Sequence, residues 1–258
     1  MEGIKLPDKV KNNIQSFTNR LKDIYRQDLL SVVLYGSASS GEYVAQHSNL
    51  NILVVLKDTD LANLKRSAGL IKIFPAINPL FLTEEYIKSS TDVFPIEFLD
   101  MQENYFILYG KDVLHGIVID IKNLRFQCEQ ELKSKLINLR QAYLRVSRHK
   151  AALLQLLLKS FISILHILRN LLRLKGKKPP YLKQEILEEV ALEFGVDLSS
   201  WRKILALKNK EIKVNDKEAE VLFINFVGQL EKISVRICYL VEFGECVITA
   251  SVCHYRSF

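Results

Sequence analysis

The chain has 258 residues, of which 48% are hydrophobic and 25% are charged, a composition typical of a globular protein with one large or two small domains. Residues 1–120 carry 12 basic against 15 acidic side chains, whereas residues 121–258 carry 24 against 14, so the basic second half favours polyanionic or phosphate-bearing partners. The four cysteines form no CxxC pair, and the first residues lack the basic and apolar regions of a secretory signal. The missing signal favours a cytoplasmic protein with reduced thiols, and the missing CxxC pair argues against a zinc ribbon.

Helix and strand signals alternate along the first half of the chain. Apolar residues from Val10 to Ile24 recur at helical spacing, whereas Ser31–Tyr35 is a short apolar run that ends at Gly36, as a buried strand does. Interleaved strands and helices are typical of an α/β or α+β sheet domain. We expect helices at Pro7–Tyr25 and Leu61–Ile73, and strands at Ser31–Tyr35, Leu50–Leu56, Pro79–Leu82, Pro95–Met101 and Gly116–Ile121.

Every strong pattern after about residue 123 has the helical period. The most apolar segment, Ala151–Leu174, is interrupted by Lys159, His166 and Arg169, so we expect the central helix of a bundle and no membrane partner. The sequence therefore predicts an α+β fold, with a small mixed-sheet domain over residues 1–122 and an all-α helical bundle over residues 123–258. Its helices are expected at Leu124–Arg148, Ala151–Leu174, Lys183–Phe194, Ser200–Leu207 and Asp216–Phe243.

The most informative stretch joins the first two strands. The first strand ends in Gly36 and Ser37, and Asn49 and Asn51 open the next strand. Gly36 lets the backbone approach an anion without a side chain in the way, and Ser37 adds a hydroxyl. A helix N-terminus that follows them would direct N–H groups at a phosphate. The same sequence also occurs as ordinary turn chemistry, so both interpretations stay open.

Over residues 31–101 the chain resembles the nucleotidyltransferase superfamily typified by DNA polymerase beta and kanamycin nucleotidyltransferase. Members of that superfamily have a Gly-Ser element, an Asp-x-Asp pair on the next strand and a third acidic residue on a later strand. The segment Phe94–Met101 is also similar to a group of uncharacterised bacterial members. The resemblance implies a mixed-sheet nucleotidyltransferase domain in which Glu97 is the catalytic carboxylate and Glu97 and Asp100 are metal ligands. The nucleotide-binding residues that it implies are Gly36, Ser37, Asn49 and Asn51.

Asparagines stand where the superfamily has its metal-binding aspartates. The period of two in a strand places Asn49 and Asn51 on one face, so the geometry of the pair is kept. Two-metal catalysis needs carboxylates that bridge ions about 3.5–4 Å apart and offset their charge, which an amide cannot do. We therefore expect Mg²⁺ to be weakly bound or absent, with Glu97 as the remaining carboxylate.

Three basic clusters lie in the helical half, at residues 145–150, 173–178 and 202–213. One interpretation is a solvated helical surface. The other is a phosphate-binding wall that faces the Gly36 turn, with Lys177 as a nucleotide ligand and RNA as an alternative polyanion. Few aromatic residues lie among the clusters, which disfavours base stacking on a single strand.

Three hypotheses about function follow from these patterns. We expect a nucleotidyltransferase-fold protein that binds a nucleotide or polyanion and whose catalysis is lost or impaired. The second hypothesis is an active metal-dependent nucleotidyltransferase that uses Glu97 and Asp100. The third is a non-catalytic protein-interaction module built on the helical bundle. The sequence predicts neither the acceptor substrate nor the oligomeric state.

Overall fold

The computed structural model describes residues 6–40, 50–180, 182–237 and 247–248, and these residues form eleven α-helices and six strands. The chain divides into two compact units, Met1–Ile119 and Asp120–Phe258. The sequence predicts this boundary after residue 122. Each unit is described below on its own.

The first unit is built on a four-stranded mixed sheet. Its strands are β1 (Leu29–Tyr35), β2 (Leu50–Leu56), β3 (Ile77–Thr83) and β4 (Tyr105–Gly110). The sheet order is β3-β2-β1-β4, with β1 antiparallel to β2 and β4, and β2 parallel to β3. The helices are α1 (Asp8–Tyr25), α2 (Ser37–Ser40), α3 (Leu61–Lys65), α4 (Ala68–Ile73), α5 (Glu84–Ser89) and α6 (Pro95–Glu103), and a 3₁₀ turn at Arg26–Asp28 joins α1 to β1.

One hydrophobic core of this unit lies between α1 and one face of the sheet. Buried residues of α1, spaced by three and four positions, pack in one cluster with alternate residues of β1 and β2. The cluster members from α1 are Ile14, Phe17 and Leu21, and those from β1 and β2 are Val32, Leu34, Ile52 and Val54. Because successive residues of a strand point to opposite faces, Asn51 lies on the face of β2 opposite to this core.

Residues 95–103 form a helix, so the predicted strand at Pro95–Met101 is wrong. Pro95 occupies the first turn, where its missing N–H is not needed for a helical hydrogen bond. The less buried positions Glu97 and Asp100 are three residues apart, as on one side of a helix. The strand that pairs with β1 on the side away from β2 is β4, and the sequence analysis does not predict it.

The second unit is a bundle of five helices among the described residues. They are α7 (Ile121–Val146), α8 (Lys150–Leu174), α9 (Lys183–Phe194), α10 (Ser199–Lys208) and α11 (Asp216–Ile237). Two short strands, β5 (Ile119–Asp120) and β6 (Val247–Ile248), form a separate two-stranded sheet. A small mixed sheet followed by a helical bundle confirms the predicted α+β fold class.

The central helix of the bundle is α8, which packs against α7, α9, α10 and α11. By length and composition alone it is apolar enough to cross a membrane, with a mean hydropathy of 1.9, and it is the one such helix in the described part of the chain. A single helix of this kind is a weak indication, because the core helix of a bundle has the same composition. Gln155, Lys159 and His166 of this helix are exposed, whereas Arg173 is buried.

Candidate functional site

Two asparagines meet on neighbouring strands, at the start of β2 and β3. Asn51 and Asn78 are direct partners in the parallel register of these strands. The Asn78 Nδ2 donates a long hydrogen bond of 3.4 Å to the Asn51 Oδ1. Side chains of directly paired residues point to the same face of a sheet, so both amides lie on the face opposite to the α1 core. Asn51 is half-buried and Asn78 is exposed, so the pair is open to a ligand.

Asn78 is a residue that the sequence interpretation missed. The resemblance implies a third side chain from a later strand, and β3 is the strand that lies next to β2 at the level of Asn51. A signal was present, because an asparagine interrupts the apolar run from Ile77 to Leu82, and asparagine is depleted in strands. The described candidate site therefore contains a second amide where the sequence predicts a carboxylate.

The turn after β1 packs against the Asn51 side chain. Gly36 has a φ of 78°, a conformation that glycine adopts readily and residues with a Cβ do not. A Cβ built on Gly36 would lie 3.4 Å from the Asn51 Nδ2. Tyr35, the residue before the turn, is the direct partner of Asn51 across β1 and β2. The turn predicted as a ligand cradle is thus beside the asparagine pair.

The hydrogen-bonding groups of this turn are largely directed into the protein. The Gly36 N–H donates to the Asn104 carbonyl at 3.2 Å, and the Ser39 N–H donates to the Gly36 carbonyl at 3.0 Å. The Ser39 Oγ lies 2.7 Å from the Gly36 carbonyl oxygen and 2.6 Å from the Asn104 carbonyl oxygen, and its proton is shared between these acceptors. The helix that follows, α2, has four residues. A phosphate at this turn would therefore meet the Asn51 amide more readily than the N–H groups of Gly36 and Ser39.

Two of the predicted ligand side chains lie outside the described part of the chain. The backbone of Ser37 begins α2, but its side chain lies outside the described residues. Asn49 lies outside them entirely. Their roles in binding a nucleotide stay predictions.

Glu97 and Asp100 lie on α6, and not on a strand beside β2. The end of α6 that meets the turn is its C-terminal end, where the Asn104 carbonyl accepts the Gly36 N–H. Glu97 is six residues before Glu103, which at 1.5 Å per residue is about 9 Å along the helix axis. Catalysis by Glu97 and metal binding by both carboxylates stay predictions, and the strand position on which they rested is wrong.

The residues at this site do not fit a pair of Mg²⁺ ions. Magnesium is normally held by one or two carboxylates together with substrate phosphates. Asn51 and Asn78 offer amide oxygens, which carry no charge, and one of them already accepts a hydrogen bond from the other amide. Among the described residues, no group of three or more His, Cys, Asp and Glu side chains is arranged to hold a metal.

Two tyrosines border the asparagine pair on the side of β4. Tyr35 is the direct partner of Tyr105 as well as of Asn51. Burial raises the pKa of Tyr35. Burial, with a hydrogen bond from the phenol to Asp112 and the charge of that carboxylate, raises the pKa of Tyr105 to about 12. Both phenols therefore stay protonated at neutral pH, and the Tyr105 hydroxyl donates to the Asp112 Oδ2 at 2.8 Å.

Lys177, the predicted nucleotide ligand of the helical half, lies in the turn after α8. Its Nζ pairs with Glu193 at 2.9 Å, and the hydrogen bond to that carboxylate raises the pKa of Lys177. The neighbouring Lys175 Nζ lies 5.7 Å from the centre of the Phe194 ring. Nucleotide binding by Lys177 would require it to give up or share its bond to Glu193, and this role stays a prediction.

No protein-family model and no curated protein matches the chain. A solved structure of spectinomycin adenyltransferase AAD(9) from Enterococcus faecialis with ATP and spectinomycin is similar, with 13% sequence identity and a TM-score of 0.48. The similarity covers 84% of this chain and 98% of that chain. A likeness of this size assigns no ligand and no residue role to this chain.

Proposed function

We propose that the first unit binds a nucleotide through its phosphates at Asn51 and Asn78, without a pair of bound metal ions, and that nucleotidyl transfer is lost. The observation that carries this proposal is the pairing of the two amides on adjacent strands beside the Gly36 turn. The resemblance of residues 31–101 to nucleotidyltransferases supplies the class of ligand. Because both amides are uncharged, we predict that nucleotide binding needs no metal ion.

The electrostatic argument concerns what a triphosphate meets at this position. Two like unit charges 4 Å apart repel by about 4 kcal/mol at an effective dielectric constant of 20, so a carboxylate pair admits a triphosphate only when metal ions offset the charge. The amides of Asn51 and Asn78 carry no charge, and their N–H groups donate hydrogen bonds that phosphate oxygens can accept. A nucleotide is therefore expected to bind here in the presence of a chelator.

The same neutrality argues against catalysis. Metal ions in two-metal sites stabilise the attacking and leaving oxygens, and carboxylates hold those ions in place. An active enzyme that uses Glu97 and Asp100 would need both carboxylates beside Asn51, whereas α6 meets the turn through Asn104. We therefore place the loss of metal-dependent transfer ahead of that alternative.

Calorimetric titration of the whole protein with ATP, in chelator and again with Mg²⁺, tests the proposal. We expect binding in both conditions, with affinities that agree within about threefold, which is less than 1 kcal/mol. Binding that requires Mg²⁺, together with release of pyrophosphate, would support an active transferase. No binding in either condition would reject the nucleotide site and favour a protein-interaction module.

A further inference from the structure

A groove of about 700 Å³ lies on the second unit, between α10 and the first turns of α11. On α10, Trp201 and Ile204 face the core and are fully buried, so a different side of this helix lines the groove. The floor of the groove is apolar and consists of Ala206, Ile212, Val214, Val221 and Leu222. The volume falls within the range of about 300–1,000 Å³ that is typical of small-molecule sites.

The loop that carries Ile212 and Val214 of the floor is fixed where it leaves α10. Lys210 has a left-handed backbone with a φ of 64°. Its N–H donates to the Leu207 carbonyl at 3.1 Å, and the Glu211 N–H donates to the Ala206 carbonyl at 2.9 Å. These two hydrogen bonds form a Schellman motif, which ends the helix and reverses the chain.

The same loop is fixed where it enters α11. The Glu218 N–H donates to the Asn215 Oδ1 at 3.0 Å, and the Asn215 N–H donates to the Glu218 Oε2 at 2.7 Å. This reciprocal pair is a capping box. Only residues 212–214 lie between the two motifs, so this part of the floor is formed before a ligand arrives.

Four cations and one carboxylate surround the apolar floor. The carboxylate is Glu218, which already accepts the Asn215 N–H. Among the described residues, no ion pair involves any of the four cations. The charge of Arg202 also reaches Asp197, but that carboxylate already accepts the N–H and the hydroxyl of Ser199. The cations, all exposed, are Arg202, Lys203, Lys213 and Lys217.

We propose that this groove binds a small amphiphilic anion, a molecule that joins one phosphate, sulfate or carboxylate group to an apolar body. The cations would pair with the anionic group, and the floor would cover the apolar body. A neutral amphiphile lacks the first interaction, and inorganic phosphate lacks the second. The site shares no residue with Asn51 and Asn78, so it stands or falls independently of the nucleotide site.

Calorimetric titration of the whole protein with octyl phosphate, kept below its micelle-forming concentration, measures this binding. Octanol and inorganic phosphate are the comparison ligands. We expect octyl phosphate to bind at one site, at least about tenfold more tightly than either comparison ligand. The double variant Lys213→Gln, Lys217→Gln should weaken octyl phosphate by about tenfold and leave octanol unchanged.

Matched variants keep the result interpretable. Lys183→Gln with Lys208→Gln removes the same charge from the same unit outside the groove, and octyl phosphate affinity should not change. Val221→Ser removes apolar surface from the floor, so octyl phosphate should bind more weakly. The Val221 side chain is 54% exposed, so the fold should tolerate the change.

Three results would overturn the proposal. The first is equal affinity for octyl phosphate and octanol, and the second is an equal loss of affinity in the control variant. The third is no octyl phosphate binding. RNA binding that Lys213→Gln, Lys217→Gln abolishes would then assign these cations to a polyanion.

Discussion

Asn78 lies directly beside Asn51 in the parallel register of β2 and β3, and its Nδ2 donates to the Asn51 Oδ1 across 3.4 Å. Two carboxylates in these positions would repel each other, so one would take up a proton or both would need a cation between them. The amide pair needs neither, because one amide donates and the other accepts. The amide pair therefore needs no metal ion to offset charge repulsion, and this is the basis of the proposed function.

Replacing Gly36 with alanine should destabilise the protein. A Cβ at a φ of 78° costs about 1–2 kcal/mol for an L-residue, and it would also contact the Asn51 amide. Urea unfolding measures the change. The matched control is Gly69→Ala, since Gly69 lies in α4 with nothing within 4 Å of an added Cβ. This variant should be more stable than wild type by about 0.5–1 kcal/mol. A Gly36→Ala variant as stable as wild type would show that the turn tolerates a side chain.

Changing Glu97 to glutamine should leave ATP affinity unchanged. Glu97 is exposed on α6, and the end of α6 that meets the Gly36 turn is the opposite one. We also expect no Mg²⁺-dependent release of pyrophosphate from the wild type, because the paired carboxylates are replaced by asparagines. A coupled pyrophosphate assay checks both proteins, with Asp100→Asn as a second variant. Wild-type turnover that disappears in Glu97→Gln would reject the proposed loss of catalysis.

Replacing Tyr105 with phenylalanine should destabilise the protein in a pH-dependent way. The folded pKa of Tyr105, about 12, lies above the ordinary value of 10.0 because burial, and then Asp112, disfavours the phenolate. Its contribution to stability is therefore fully present below about pH 10 and is lost as the pH rises from about 10 to about 12. The stability difference between wild type and variant should shrink across that window.

Urea unfolding of both proteins at about pH 8 and about pH 11 measures this difference. Tyr86→Phe is the control, since that side chain is 45% exposed. A difference between wild type and Tyr105→Phe that does not change with pH would mean that folding does not raise the pKa of Tyr105.

The triple variant Lys175→Ala, Lys177→Ala, Lys178→Ala should not change the salt dependence of RNA binding. Lys177 is paired with Glu193, and Lys175 lies over Phe194, so two of the three are engaged within the second unit. Each phosphate neutralised on a single strand contributes about −0.7 to the slope of log K against log[salt], so three functional lysines would change the slope by about 2. A change of that size would support the phosphate-binding wall. Arg173 is left unchanged because it is only 7% exposed and donates to Asn170.

Most of the fold could be predicted from local patterns. The strands β1 and β2 are short apolar runs bounded by turn residues, and α8 has a clear apolar stripe, so each is recognised from neighbouring residues alone. α6 could not be separated from a strand, because its nine residues are too few to show a clear helical period. Tyr105–Tyr109 of β4 is also an unbroken apolar and aromatic run, but the strand is predicted at the preceding segment, Pro95–Met101.

The candidate site was only partly predictable for a different reason. Gly36 and Asn51 are close in sequence, and their spacing carries the resemblance. Asn78 joins them through the register of β2 against β3, which connects residues 27 positions apart and has no local sequence pattern. Glu97 was assigned to the site because it is acidic and follows the motif, and a sequence cannot show which strand lies beside β2.

The most direct test of the central claim is the ATP affinity of the double variant Asn51→Asp, Asn78→Asp in chelator and with Mn²⁺. The two new carboxylates should repel the triphosphate, so affinity in chelator should fall by at least about tenfold, and Mn²⁺ should restore it by bridging carboxylates and phosphates. Wild type should bind ATP equally in both conditions. So should the control Asn12→Asp, Asn19→Asp, which adds the same charge at exposed positions of α1. A folded Asn51→Asp, Asn78→Asp variant whose ATP affinity matches wild type in both conditions would contradict the account.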